Sequence, residues 1–426
     1  MKLLHFKIVV IGGGPAGLAA ATSAAKSTSD IAIIDDNPAP GGQIWRRGIS
    51  GVPDEQARRW IDGGNAITVF KRAKVIAVAR PDVLIVETAT EALEVQFERL
   101  ILATGARELF LPFPGWTLPG VMGAGGLQAL VKSGLPVSNK RVVVAGSGPL
   151  LLAVAAYLKG KGAHVLTIAE QASWGKLATF ALHLARYPGH IGQAGSLGLN
   201  LAGVPLRAGC WVGQAHGPER LEAVTLRQGD SAWMIGCDYL ACGFGLVPNV
   251  ELPSALGCAL SNGAVQVDEW QQSSLSHIYC AGEVTGIGGL DLSLVEGQIA
   301  GFAATGQLDE ARACFARRTH ARRFAALLAN SFALRDELKT LASADTVVCR
   351  CEDVPLHALQ SHPNWRSAKL HTRCGMGPCQ GRVCGAATSF LFGWTPASVR
   401  PPITPAQLTS LAHIETYSDQ KQEVEA

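Results

Sequence analysis

Five cysteines fall within thirty-six residues of this 426-residue chain: Cys349 and Cys351 in "VCRCEDV", then Cys374, Cys379 and Cys384 in "RCGMGPCQGRVC". Thiolates are soft ligands, and iron–sulfur and zinc sites both need about four of them converging from short loops. Gly375, Gly377, Gly381 and Gly385 let the backbone bend around such a site and turn N–H groups toward sulfur. Structural zinc sites more often carry two Cys-x2-Cys knuckles, which are missing here, so an iron–sulfur cluster is the first reading. Zinc and unliganded thiols stay as alternatives. The other six cysteines, Cys210, Cys237, Cys242, Cys258, Cys280 and Cys314, are scattered. Scattered cysteines read as small buried hydrophobes. An odd total with one tight cluster is unlike a secreted disulfide framework and fits a reducing compartment.

A different chemistry stands near the start of the chain. "FKIVVIGGGPAGLAAATSAA" predicts a strand, a glycine turn and an alanine-rich helix, with Gly12, Gly14 and Gly17 in the spacing of a dinucleotide loop. Gly12 permits the turn, Gly14 admits a pyrophosphate to the backbone, and Gly17 lets helix and strand pack closely. The helix N-terminus then faces the phosphates. Asp35, twenty-three residues after Gly12, closes the next strand, "IAIID", and is placed to accept from a ribose hydroxyl. A second unit of the same layout, "KRVVVAGSGPLLLAVAAYLKGKGAHVLTIAE", carries Gly146, Gly148 and Glu170. Its third glycine is replaced by Leu151, which should push the helix away from its strand. This loop therefore has two readings, a site for an adenine nucleotide (NAD or ATP) or a packing remnant. An acid at Glu170, where an arginine would serve a 2′-phosphate, argues against NADP.

The elements around these residues are consistent with a large α/β protein. Hydrophobic residues make up 48% and charged ones 17%, which supplies sizeable cores and excludes a disordered chain. A net charge of +3 gives no argument for nucleic acid or an acidic membrane surface. The one basic run, Arg317, Arg318, Arg322 and Arg323, reads as the solvated face of a helix. The most apolar stretches, 7–25 and 142–158, are broken by Gly and Gly-Pro, so no membrane span is expected. The N-terminal apolar run reads as a first strand rather than a signal peptide, and a cytoplasmic location is expected. Residues 74–105 alternate as an antiparallel meander of about four strands, and residues 305–342 look helical. Neither a Cys-x-x-Cys nor a Cys-x4-Cys pair beside a flavin is read before residue 349, Cys242 and Cys280 being taken as single, so dithiol chemistry is expected to have no carrier there.

Four motifs in order, "GGGPAG", "PGGQI", "LILATGA" and "IYCAGEVTG", resemble the two-dinucleotide-domain flavoproteins, similar to glutathione and thioredoxin reductases. The resemblance covers roughly residues 5 to 305 and implies FAD on the first loop. Carried over by position, it assigns FAD binding to Gly12, Gly14, Pro15, Ala16, Gly17, Asp35, Asp36, Gly42, Gln43, Ala103, Thr104, Gly105, Gly282 and Glu283. Glu283 stands where the family usually has Asp, and a helix-capping role is its alternative. Gly146, Gly148 and Glu170 would line the second nucleotide site.

The C-terminal thiol pattern resembles the bacterioferritin-associated-ferredoxin-like [2Fe–2S] domain over about residues 345 to 400. By position the resemblance implies Cys349, Cys351, Cys379 and Cys384 as ligands, with Cys374 a spare close to the site. The expected organisation is an FAD domain of residues 1–115 and 265–310, a second nucleotide domain 116–264, a helical connector 311–343, a [2Fe–2S] domain 344–400 and a tail 401–426.

A flavin exchanges electrons in pairs and a [2Fe–2S] cluster singly, so a chain carrying both is a converter between the two regimes. The flavin domains, the thiol domain and "FPGWTLPGVMGAGGLQALVKSG" together resemble one subunit of heteromeric amine-oxidising flavoenzymes. That group includes opine oxidases, hydrogen cyanide synthase and proline or hydroxyproline dehydrogenases. The resemblance implies an electron-transfer role in a complex. The implied partners are a second FAD-dependent, amino-acid-oxidase-like subunit, together with a small ferredoxin-like subunit. Any membrane association would be made through partners. No catalytic base is assigned. His183, His190 and His277 are candidates by residue type only, and surface or core roles suit them better. The alternatives are a self-sufficient NADH-dependent ferredoxin-type reductase, resting on the second glycine loop, and a non-enzymatic scaffold binding nucleotide and zinc.

Overall fold

The computed structural model describes residues 1–46, 55–62, 67–395 and 399–412. The chain divides into two compact units. The first contains Met1–Arg107, Val247–Ala325 and the stretch described from 399 to 412; the second contains Glu108–Leu246 and the stretch from Ala326 to 395.

In the first unit, strand Lys2–Ile11 is central and parallel to both Ile31–Asp35 and Ala92–Leu102. Ile31–Asp35 is buried along its whole length, as a parallel strand covered on both faces must be. The meander contains three strands rather than about four: Lys74–Arg80, Val83–Glu87 and Ala92–Leu102. On the edge opposite Lys2–Ile11, the last of these serves two further pairings. Its first half alternates in burial opposite Val83–Glu87, and its final residues are buried on both faces beside Ile278–Cys280. The count is three because this eleven-residue strand passes without interruption from an antiparallel to a parallel neighbour.

Helices Pro15–Ala24 and Gly289–Ala304 lie against each other at backbone contact. A Cβ on Gly297 would come 2.2 Å from the carbonyl oxygen of Ala16, and one on Gly301 would come 2.2 Å from that of Ala20. Only glycine permits such an approach, and it fixes the helix that begins beside Glu283 onto the helix that begins at the first glycine loop. Residues 403–407 line the strand Lys74–Arg80: the Ile403 N–H donates to the Ile76 carbonyl at 2.7 Å, and the Gln407 N–H to Glu87 at 2.7 Å.

In the second unit, five parallel strands run in the order Leu206–Ala208, His164–Glu170, Arg141–Gly146, Tyr239–Gly243 and Val121–Gly123. A three-stranded antiparallel sheet, Cys210–His216, Ala223–Gln228 and Ser231–Gly236, belongs to the same unit. The thiol-bearing region is small. Strands Val347–Cys349 and Val354–Pro355 pair, and helices Trp365–Thr372 and Cys384–Phe392 pack around Val348, Leu359, Trp365 and Ala368. Among the described residues, no helix is long and apolar enough to cross a membrane.

Candidate functional site

The first glycine loop sits between the strand Lys2–Ile11 and the helix that Pro15 begins. Proline at the first helical position presets the turn and has no N–H to leave unpaired. Gly12 has φ +102°, and a Cβ there would lie 2.3 Å from the Ala103 carbonyl oxygen. A Cβ on Gly17 would lie 1.8 Å from the Gly12 carbonyl oxygen. At Gly14 the corresponding position meets only the Gly42 Cα, at 3.8 Å, so the backbone there stays open to a ligand. The "PGGQI" segment folds back onto this loop, with the Gly41 N–H donating to the Gly13 carbonyl at 2.7 Å. Gln43 is exposed.

Asp35 is 3% exposed and braces the loop: its carboxylate accepts from the Gly13 N–H at 2.9 Å and from the Asn37 N–H at 2.9 Å. Asp36 is exposed and accepts from Asn37 Nδ2. Ala103 is buried and Thr104 and Gly105 are half-buried, with the Thr104 hydroxyl donating to the Asn249 carbonyl at 2.7 Å. The late motif closes the group. Gly282 lies beside Ala16, and the Glu283 carboxylate accepts from the Gly289 N–H at the start of the long helix. Burial pushes the Glu283 carboxyl up, and that N–H draws it back down. The structure thus brings the expected first-loop residues together and places Glu283 so that it also caps a helix.

Sequence reasoning missed Glu296. It is 2% exposed, and its carboxylate takes the Gly282 N–H at 3.2 Å, the Thr285 hydroxyl at 2.9 Å and Arg322 Nη2 at 2.9 Å. Burial pushes its carboxyl up, against the pull of Arg322 and the hydrogen bonds. The reading of the basic run as a solvated face holds for Arg317, Arg322 and Arg323, which are exposed, and fails at Arg318. Arg318 is buried and donates to Glu269 and Gln271, and Arg322 is the counter-ion of Glu296. The available signal was an acid in the middle of the apolar helix "GLDLSLVEGQIAGFAA", beyond the Asp291 of its first turn, with arginines downstream. Arg322→Ala would leave a buried acid without its cation. It should lower the stability of the flavin-replete protein by about 2 kcal/mol in urea, with Arg322→Lys recovering part of the loss.

In the second loop Gly146, Gly148 and Glu170 are all buried. Leu151 is accommodated because its neighbour is Gly243, where a Cβ would lie 3.1 Å from Leu151 Cδ2. Glu170 accepts from the Gly148 N–H at 2.7 Å and the Ala172 N–H at 2.8 Å, yet burial raises its carboxyl to about 7. The folded state therefore keeps this proton while the unfolded chain, titrating near 4.5, has lost it. Stability should fall by about 3 kcal/mol as pH rises from about 4.5 to 7. Subtracting the urea midpoints of Glu170→Gln, measured over the same pH range, should isolate that slope.

The six scattered cysteines are all buried, as expected. Cys237 and Cys242 do form a Cys-x4-Cys spacing, but burial holds both thiols high, Cys237 at about 12, so neither is poised as a nucleophile. Cys280 hydrogen-bonds the distant Cys258, which that contact lowers to about 7. His183 and His277 are half-buried and bonded to carbonyls of Thr179 and Pro81.

The clustered thiols form two groups. The Sγ atoms of Cys349, Cys374 and Cys384 all lie within 4.8 Å of one another, each residue being at most 1% exposed. Cys351 is exposed and hydrogen-bonded to Cys379, whose N–H also points at its sulfur. The Cys374 and Cys384 thiols and the N–H groups of Gly375 and Glu352 hold Cys349 far below an ordinary thiol, the anionic form that a metal binds. A Cβ on Gly377 would lie 2.2 Å from the Cys351 Cβ, and the Trp365 ring packs onto Gly375. An all-sulfur donor set wrapped by glycines and amide N–H groups fits an iron–sulfur cluster. Cys374 lies inside this group, in direct contact with two of the four expected ligands. Its burial is a tertiary fact that spacing alone does not reveal.

An open glycine loop with its acid, a second parallel nucleotide-type sheet and a C-terminal cysteine cluster define an α/β oxidoreductase of the two-dinucleotide-domain type. The family described as "Pyridine nucleotide-disulphide oxidoreductase" matches residues 6–301, and the chain belongs to it. It is an FAD-dependent oxidoreductase. It is 33% identical to hydrogen cyanide synthase subunit HcnB of Pseudomonas aeruginosa, over 89% of this chain and 91% of that protein. It is 31% identical to an opine oxidase subunit from Agrobacterium tumefaciens, over 96% and 92% respectively. The crystal structure of L-proline dehydrogenase from P. horikoshii shares the fold, with a TM-score of 0.69 and 19% identity over 96% of this chain and 80% of that one.

Proposed function

We propose that this chain is the FAD- and [2Fe–2S]-containing electron-transfer subunit of a heteromeric amino- or imino-acid dehydrogenase acting on an opine, proline, hydroxyproline or glycine. A partner flavoprotein subunit would oxidise the carbon–nitrogen bond, and this chain would relay the electrons to a carrier, a small ferredoxin-like subunit being a further member. The similarity to subunits of opine oxidase and hydrogen cyanide synthase supports a multi-subunit role. When bound, FAD supplies two-electron exchange and a [2Fe–2S] cluster supplies single-electron exchange.

Within this reading, the amides after Gly14 and the helix that Pro15 starts hold the diphosphate, and Asp35 positions the ribose end. Glu283 and Glu296 fix the start of the long helix beside Gly282. Residues 344–400 form the cluster module, with Cys349, Cys351, Cys379 and Cys384 as ligands. The observation that carries the proposal is the buried thiol group on the same chain as an open first glycine loop. The test is anaerobic purification followed by the visible spectrum, metal content and low-temperature EPR after reduction. Flavin with about two irons per chain is expected, and no oxidation of proline, hydroxyproline, glycine or opines by the chain alone. Zinc in place of iron, or amino-acid oxidation by the isolated chain, would overturn the proposal.

A further inference from the structure

The second glycine loop differs from the first in what lies over it. The second glycine of a dinucleotide loop lacks a side chain so that the pyrophosphate can reach the backbone. At Gly14 no side chain enters that space, and the nearest atom is the backbone Gly42 Cα at 3.8 Å. At Gly148 the Phe332 side chain fills it: the position of a Cβ lies 3.8 Å from Phe332 Cγ and 3.9 Å from its Cβ. Phe180 meets the same ring edge-on, with centroids 5.1 Å apart.

The segment bearing Phe332 is fastened by the residues that would otherwise face a nucleotide. Ser147, between the two glycines, donates its hydroxyl to the Phe332 carbonyl at 2.8 Å. Gln171, next to the acid, donates to Ser147 Oγ at 2.9 Å and to the Ala333 carbonyl at 3.3 Å, and accepts from the Arg335 N–H at 3.2 Å. Gln171 is fully buried, so each of these bonds would have to be replaced if the segment left. Glu170 does not distinguish the loops, since Asp35 is also tied to backbone N–H groups. Phe332 does.

We propose that the second glycine loop takes no dinucleotide, because the chain's own Phe332 occupies the pyrophosphate seat. The loop instead anchors the stem, residues 332–335, from which the thiol-bearing region continues. A nicotinamide nucleotide therefore does not fit this unit as it is folded. This complements the proposed relay role, in which electrons arrive from a partner, but does not depend on it.

The test is calorimetric titration of the flavin-replete full-length chain with NAD+ and, separately, ATP. The wild type should show no saturable binding tighter than about 1 mM. Phe332→Ala should gain at least tenfold in affinity for one of the two. Gln171→Ala loosens the segment without touching the ring and should shift binding the same way by less, which keeps the test available should Phe332→Ala not fold. Wild-type binding of either nucleotide tighter than about 10 μM would overturn the proposal. So would a folded Phe332→Ala that binds neither. Nucleotide binding is read here, not iron content or turnover, so failure would leave the relay reading standing.

Discussion

Gly17→Val should yield protein that holds FAD at least a hundredfold more weakly than the wild type, a loss of about 2.7 kcal/mol in binding. The reason is geometric. A Cβ at this position would lie 1.8 Å from the Gly12 carbonyl oxygen and 3.0 Å from its carbon, both backbone atoms of the loop itself. They cannot swing aside as a side-chain tip can. The helix Pro15–Ala24 must back away from its strand, carrying with it the N–H groups that face the diphosphate. The long helix Gly289–Ala304 cannot follow unstrained, because Gly297 and Gly301 hold it against the backbone at Ala16 and Ala20. A stability loss of about 3 kcal/mol is expected as well. Flavin fluorescence released on dilution measures the first effect and urea unfolding the second. Gly160→Ala is the contrasting control: nothing lies within 4 Å of its Cβ position, and alanine in a helix should leave stability unchanged or slightly higher. If Gly17→Val keeps full flavin occupancy, FAD does not sit on this loop.

Cys379→Ser should abolish the iron content while the flavin spectrum persists, and Cys374→Ser should retain about two irons per chain with a reduced-state EPR signal. These variants distinguish two ligand sets. The proposed one is Cys349, Cys351, Cys379 and Cys384. The alternative is built on the buried trio, in which Cys374 lies within 4.8 Å of both Cys349 and Cys384. If Cys374→Ser loses its iron and Cys351→Ser keeps it, the ligand assignment fails although the cluster survives as an idea. Iron and labile sulfide analysis with EPR of all three variants reads the outcome without any turnover assay.

Much of this is legible in the residues because local chemistry writes it. A glycine loop followed by Pro15 and, one strand later, Asp35 encodes a strand–turn–helix with little help from distant contacts. Five thiols among four glycines encode a thiol cluster in the same local way. What escapes is decided at long range. Arg322 is twenty-six residues from Glu296, and a helical arginine run looks solvated until a buried acid is found beneath it. Phe332 is one hundred and eighty-four residues from Gly148, and no spacing rule links a phenylalanine after a helix to a glycine loop that far upstream. Residues 74–105 read as about four strands where three form, because Ala92–Leu102 runs unbroken while its neighbour on one edge changes from Val83–Glu87 to Ile278–Cys280.

The return of residues 399–412 to the first unit bears on the order in which the protein can be made. The outer edge of strand Lys74–Arg80 and the Glu87 carboxylate gain part of their hydrogen bonds late: Ile403 donates to Ile76, Lys74 reaches Pro405, and Glu87 receives the Gln407 N–H. Those partners are translated after the whole thiol segment. At about 5–20 residues per second, several seconds separate synthesis of Ala325 from that of Ile403. During that interval a nascent chain carries a first unit with one sheet edge still unpaired, the kind of edge that other chains can add to. The thiol segment is complete before that edge is closed. Ribosome-bound chains stalled before residue 399 should therefore recruit chaperones that chains stalled well beyond residue 412 do not.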